Sequence, residues 1–259
     1  MIEIADHLKE PLVELLLSVA DDKLILGHRN SDWTGLAPIL EEDIAFSSLA
    51  QDEIAHAQAL YELAAPLTGR SADDLVFGRG PEEYRCCAIV ELPDDFDWAF
   101  AVGRRFFCDH FDALRLGRMA RSSLTPLADL AGRLAAEEQI HVEHADAWIE
   151  RLGRGGDDAR RRMQEALDRL SPIAPTLLEP TDGLEALESE GVYPPPDGVP
   201  FELWSAGLTA VTDASGLTLD LKPPAPGHTG GGRSTHTPHL ERLLDEMCEV
   251  YRLEPGAAW

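Results

Sequence analysis

Apolar residues recur every three or four positions over long stretches of this chain, the period of helices that turn one face inward. The spacing predicts a first helix from about Leu8 to His28, carried by Leu8, Leu12, Leu15, Val19 and Leu26. A second runs from about Ile39 to Ala64, with Pro38 near its start, where a missing N–H leaves no helical bond unmade. A third spans about Asp95 to Arg121 and a fourth about Pro126 to Leu152, after which Gly153, Gly155 and Gly156 stop the helix. A fifth covers Asp157 to about Leu170. Gly69, Gly78, Gly80, Pro81 and Pro93 mark an irregular strap between the second and third helices, and Cys87 to Leu92 is its one plausible extended stretch. Further on, Pro194, Pro195, Pro196 and Pro200 form a linker, Phe201 to Ala214 reads as a short helix, and Pro223, Pro224, Pro226 and Gly230, Gly231, Gly232 break the chain again. A last helix is expected from Pro238 to about Arg252. Four long helices with short links and one strap predict an all-α four-helix bundle over residues 1–178. Residues 179–259 then form an extension whose short helices pack on the bundle or on a partner.

Two interruptions of these stripes carry candidate chemistry. On the second helix, Phe46, Leu49, Glu53, His56, Leu60 and Leu63 advance by three or four; on the fourth, Leu127, Leu130, Leu134, Glu138, His141, Ala145, Trp148 and Leu152 do the same. Each stripe therefore aims a carboxylate and an imidazole, three residues apart, at the core. A buried carboxylate requires an ion or a hydrogen-bonding partner. The same test picks Asp22 on the first helix, with Asp21 as its close competitor, and Asp109 on the third. Asp112 shares a face with Arg105 and Arg115 and reads as solvated. Asp22, Glu53, His56, Asp109, Glu138 and His141 together make the ligand set of a carboxylate-bridged di-iron bundle. Asp52 and Glu137, each one residue before a proposed ligand, are placed to accept the distal N–H of the opposite histidine. The competing reading is a metal-free polar network of the same residues. Carboxylate and imidazole together suit iron ahead of manganese, and the absence of cysteine from the set argues against structural zinc.

Composition narrows the function classes. The 47 acidic residues outnumber the 22 basic ones, for a net charge of −25, which repels nucleic acid and anionic membranes. Such a surface suits solubility, a salt-rich setting or a partner with a basic face. Lysine occurs only at Lys9, Lys23 and Lys222. No segment reaches the roughly 18 consecutive apolar residues that a membrane span needs. Glu3, Asp6, Lys9 and Glu10 break the basic-then-apolar layout of a secretory signal, so the expected location is the cytoplasm. Cys86, Cys87, Cys108 and Cys248 form no CxxC pair and read as reduced core residues. His28, Arg29 and Trp33 read as helix-capping and packing residues, and His228, His236 and His239 as loop and cap residues. No phosphate-binding loop or nucleophile elbow is present.

Four segments, in order along the chain, resemble one family. They are Ala20-Asp21-Asp22-Lys23-Leu24-Ile25-Leu26-Gly27-His28-Arg29 with Trp33, Trp148-Ile149-Glu150-Arg151-Leu152-Gly153, Thr235-His236-Thr237-Pro238-His239-Leu240, and the closing Pro255-Gly256-Ala257-Ala258-Trp259. They are similar to the C subunit of the multicomponent ring 1,2-epoxidase that acts on phenylacetyl-CoA in phenylacetate catabolism. The resemblance implies a ferritin-like fold and a homologous A subunit that carries the di-iron centre and binds the aromatic acyl-CoA. It also implies a reductase that delivers nicotinamide electrons. The C subunits of that family are described as structural, with degraded ligands, whereas Glu53/His56 and Glu138/His141 are intact here. An acidic surface fits an acyl-CoA bound mainly by the partner. The resulting expectation is an epoxidase subunit, with its own di-iron site or as a metal-free scaffold for the A subunit. A stand-alone di-iron oxidase is the third reading.

Overall fold

The structure, a computed structural model, describes residues 3–224 and 232–254. Four long helices dominate it: α1 (Asp6–Ser31), α2 (Leu40–Thr68), α5 (Trp98–Met119) and α6 (Thr125–Gly153). Between them lie α3 (Ala72–Phe77) and α4 (Ala88–Glu91); after them come α7 (Asp157–Leu170), α8 (Leu184–Ser189), α9 (Pro200–Ala214), α10 (Pro238–Met247) and α11 (Glu249–Leu253). The described residues contain no strand. The fold is all-α, a ferritin-like four-helix bundle with added helices.

Short links make α1–α2 and α5–α6 two tightly packed hairpins. The strap from Gly69 to Asp97 crosses between them, the single long crossover of ferritin-like bundles. Gly69 caps α2 in the left-handed conformation (φ 71°), and the Asp97 side chain caps α5 by accepting the Ala99 N–H at 3.1 Å. Within the strap, Ser71 and Asp74 form a capping box that starts α3.

The predicted long helices are present with somewhat different ends, and α7 spans the predicted fifth helix. Cys87 to Leu92 is not extended: Ala88–Glu91 forms a helical turn packed on α1. There Asp22 accepts the Cys87 N–H at 2.8 Å, a local alternative to strand pairing. The last predicted helix is two, divided at Cys248. His228 and the closing Pro255–Trp259 lie outside the described residues.

Helix α1 is the axis of the molecule. Every residue from Leu15 to Gly27 is buried, so this helix has no solvent face along that length. α2 packs on one side of it, and α4 and α8 cover others. The tail closes on the bundle: Trp204 of α9 is buried and donates its indole N–H to the Phe107 carbonyl at 3.0 Å. Gly27 sets the distance between α1 and α2, because a Cβ there would stand 3.0 Å from Glu53 Cβ and 3.1 Å from the Ala50 carbonyl oxygen. Gly27→Ala is therefore expected to lower the unfolding free energy by about 1–3 kcal/mol through overpacking. Denaturant unfolding followed by circular dichroism checks this, and unchanged stability would mean the helix pair spreads freely.

Candidate functional site

Asp21, Asp22 and Lys23 are consecutive, and all three are buried. Successive residues of a helix point about 100° apart, so each side chain enters a different part of the interior. Asp21 meets Arg79, whose Nη1 stands 3.0 Å from Oδ2, and accepts the Tyr61 hydroxyl and the Arg85 backbone N–H (2.6 Å). Asp22 accepts Arg115 Nη1 at 2.5 Å and Arg233 Nη1 at 2.8 Å, besides the Cys87 N–H. Those two guanidiniums hold its carboxyl below the usual carboxylate range, against burial, which alone would raise it.

Lys23 enters the middle of the four-helix bundle. Its Nζ lies 2.9 Å from Glu53 Oε2 and 2.7 Å from Asp112 Oδ2, and it also donates to Glu138 Oε2. The lysine, Glu53 and Glu138 side chains are wholly out of solvent. Burial alone would strip the ammonium of its proton; Asp112, Glu138 and Glu53 reverse that and hold its pKa well above the ordinary lysine value.

His141 completes the cluster. Its Nδ1 faces Glu53 Oε1 at 3.1 Å and its Nε2 faces Asp52 Oδ2 at 3.5 Å. Burial lowers its pKa, but the hydrogen bond and charge of Glu53 outweigh that and raise it. His56 differs: it donates from Nε2 to Glu137 at 2.6 Å, and burial together with Lys23 lowers its pKa. The two rings lie nearly parallel, 5.9 Å apart. Asp109 receives Arg105 Nη2 at 2.7 Å, yet burial keeps its pKa raised.

The charges set the direction in which each acid shifts. Burial favours the neutral form of every carboxyl here. Lys23 and His141 together stabilise Glu53, whose pKa falls despite burial. Burial and the neighbouring Glu53, Asp112 and Asp109 push Glu138 up to about 8, against the pull of Lys23.

Of the six sequence-predicted metal ligands, Glu53, Asp109, Glu138 and His141 converge, with one donor atom of each within 4.8 Å of the others. That cluster is able to hold a metal ion. Asp22 is instead committed to Arg115 and Arg233, and His56 lies outside the convergent set. The Lys23 ammonium stands beside two of those acids, Glu53 and Glu138, and His141 faces Glu53 from one ring nitrogen and Asp52 from the other.

Asp112 and Arg115, read from the sequence as a solvated face with Arg105, are buried with it. Each is neutralised inside: Asp112 by Lys23, Arg115 by Asp22 and Asp112, Arg105 by Asp109. Sequence reasoning missed Lys23. The signal was its place four residues after Val19 and three before Leu26, on the same inward stripe, in a chain nearly devoid of lysine.

A bundle of two helix hairpins joined by a strap, with paired acids and histidines at its centre, defines a ferritin-like carboxylate protein. The family model described as "Phenylacetic acid catabolic protein" matches residues 3–259, and the chain belongs to that family. It is 29% identical over 249 residues to the C subunit of the 1,2-phenylacetyl-CoA epoxidase of Escherichia coli strain K12, covering 96% of this chain and 99% of that one.

Removing the ammonium should leave its carboxylates buried and unmatched. Lys23→Met is expected to lower the unfolding free energy by about 3–5 kcal/mol near neutral pH. The loss should shrink toward acid pH as the acids take up protons, and denaturant titrations at several pH values measure it. The Glu138 shift carries its own pH dependence. An acid whose folded pKa (about 8) exceeds its ordinary value (4.5) adds stability that is complete below the lower value and disappears as pH rises through the higher one. The melting temperature should therefore fall between about pH 4.5 and about pH 8, and Glu138→Gln should flatten that fall.

Proposed function

We propose that this chain is a structural subunit of a multicomponent aromatic acyl-CoA ring epoxidase, with its bundle centre neutralised by protonated side chains in place of metal. One observation carries the metal-free part: the Lys23 ammonium lies within ion-pair distance of Glu53, Asp112 and Glu138. A dication beside it would meet direct repulsion, and the acids that would hold the dication already have a counter-charge. Support for the subunit role is the whole-length similarity to a protein named as the C subunit of a phenylacetyl-CoA epoxidase. In this reading a homologous catalytic subunit binds the acyl-CoA and the iron, and a reductase delivers nicotinamide electrons. The chain works beside them in the cytoplasm, as one component of phenylacetate catabolism. The charge of −25 favours a basic docking face on that partner and leaves the polyanionic coenzyme to it.

A second reading, a di-iron centre in this chain, draws on specific atoms. His56 Nδ1, Asp109 Oδ1 and Glu138 Oε1 are buried with no hydrogen-bond partner, and Glu53, Asp109, Glu138 and His141 are close enough to share an ion. Bound iron would supply oxygen activation. For that the Lys23 side chain must withdraw from Glu53 and Glu138.

Anaerobic purification, reconstitution with ferrous iron and metal analysis separate the two. The structural reading expects no iron above background in this chain and a higher melting temperature for the co-expressed catalytic subunit. It further expects aromatic acyl-CoA epoxidation only when catalytic subunit, reductase and this chain are combined. Two irons per chain would establish the second reading instead, and a catalytic subunit equally stable and active without this chain would refute the structural role.

A further inference from the structure

A second group of ligating side chains lies where the strap meets the tail. Cys86 and Glu91 come from the strap, and His236 from the segment just before α10. Cys86 Sγ stands 3.6 Å from Glu91 Oε1 and 3.9 Å from His236 Nδ1, and Nδ1 stands 2.6 Å from Glu91 Oε1. One donor atom from each lies within 4.8 Å of the others. Cys86 and Glu91 are buried, and the His236 side chain is only 8% exposed.

We propose that Cys86, Glu91 and His236 form a zinc site that clasps the C-terminal segment to the strap. Thiolate, imidazole and carboxylate are the donors zinc takes, at about 2.3 Å for sulfur and about 2.0–2.2 Å for nitrogen and oxygen, so tetrahedral donors stand roughly 3.3–3.6 Å apart. The two sulfur distances already agree with that spacing to within a few tenths of an ångström. The nitrogen–oxygen pair must open by roughly 0.7 Å, the change expected when a metal replaces the proton between them.

The surroundings fix the donors as the supports of metal sites do. The Tyr84 backbone carbonyl can only accept, so His236 donates to it from Nε2 at 3.1 Å, and Nδ1 is the atom turned toward Cys86 and Glu91. The other oxygen of Glu91 accepts the Thr237 N–H at 2.6 Å. Charge also balances. Without metal the buried group is a neutral thiol and a Glu91–His236 pair sharing one proton, with net charge zero. Zinc binding expels the thiol proton and the shared proton to solvent and brings in a dication, and the net charge is again zero. The exchange leaves no unmatched charge in a dry site. Three protein donors leave the fourth position for a solvent molecule.

The chain stripped by chelator and titrated with cobalt(II), a coloured substitute for zinc, tests this. The expected result is one equivalent bound per chain, a near-ultraviolet thiolate-to-cobalt charge-transfer band, and loss of that band on adding zinc. Cys86→Ser should abolish the band, and Glu91→Gln and His236→Gln should each weaken cobalt binding at least about tenfold. Cys87→Ser should leave it unchanged. A folded wild-type chain without the band overturns the proposal, whatever the variants do. So does a band that survives Cys86→Ser or disappears in Cys87→Ser.

Discussion

An ammonium removed from water has to be met by carboxylates within a few ångströms, or it gives up its proton. Lys23 satisfies that condition in the middle of the bundle by drawing on three other long helices at once: Glu53 from α2, Asp112 from α5 and Glu138 from α6. The register of all four helices is tied to one nitrogen atom. A slide of one helix by a single residue would turn its acid away and leave both charges unmatched. Apolar packing of leucines tolerates several registers; this arrangement tolerates one. Buried ion pairs add little net stability over well-packed hydrophobic side chains, so their effect here is to select one packing among several.

The same logic extends outward from α1. Asp21 gathers Arg79 and Tyr61 from the strap and α2, and Asp22 gathers Arg115 and Arg233 from α5 and the tail. Three adjacent residues thus join nearly every part of the fold to its axis. In the proposed structural reading, the convergence of acids and histidines that in a metalloprotein would enclose iron is an internally compensated salt. The proposed division of labour, with this chain as scaffold and a partner as catalyst, follows from that compensation. The whole-length membership of the phenylacetic acid catabolic family supplies the context.

Much of this architecture is legible in the residues. The long helices follow from apolar periodicity, and the inward aim of Glu53, His56, Glu138 and His141 follows from their phase on the stripes. What is not legible has a common physical cause: buried cations. Arginines and lysines read as surface markers because they are usually solvated. The pattern therefore places Asp112 outside on account of Arg105 and Arg115, although each of these side chains is neutralised within the core. Lys23 escapes notice for the same reason. The turn at Ala88–Glu91 reads as extended because its stabilising acceptor, Asp22, lies 65 residues away from Cys87, beyond any local pattern. The partner of His236 is hidden likewise, since Glu91 is 145 residues distant.

One pairing has a consequence for how the molecule is made. Asp22 and Arg233 are 211 residues apart, yet they meet beneath the surface of the finished protein. At a translation speed of about 5–20 residues per second, the aspartate leaves the ribosome roughly ten to forty seconds before its arginine does. During that interval the Cys87 N–H and then Arg115 reach it, 65 and 93 residues downstream, while the Arg233 contact is still missing. The nascent bundle therefore forms before its buried aspartate has gained its second guanidinium, and a product cut short of Arg233 would leave Asp22 with Arg115 as its only counter-charge.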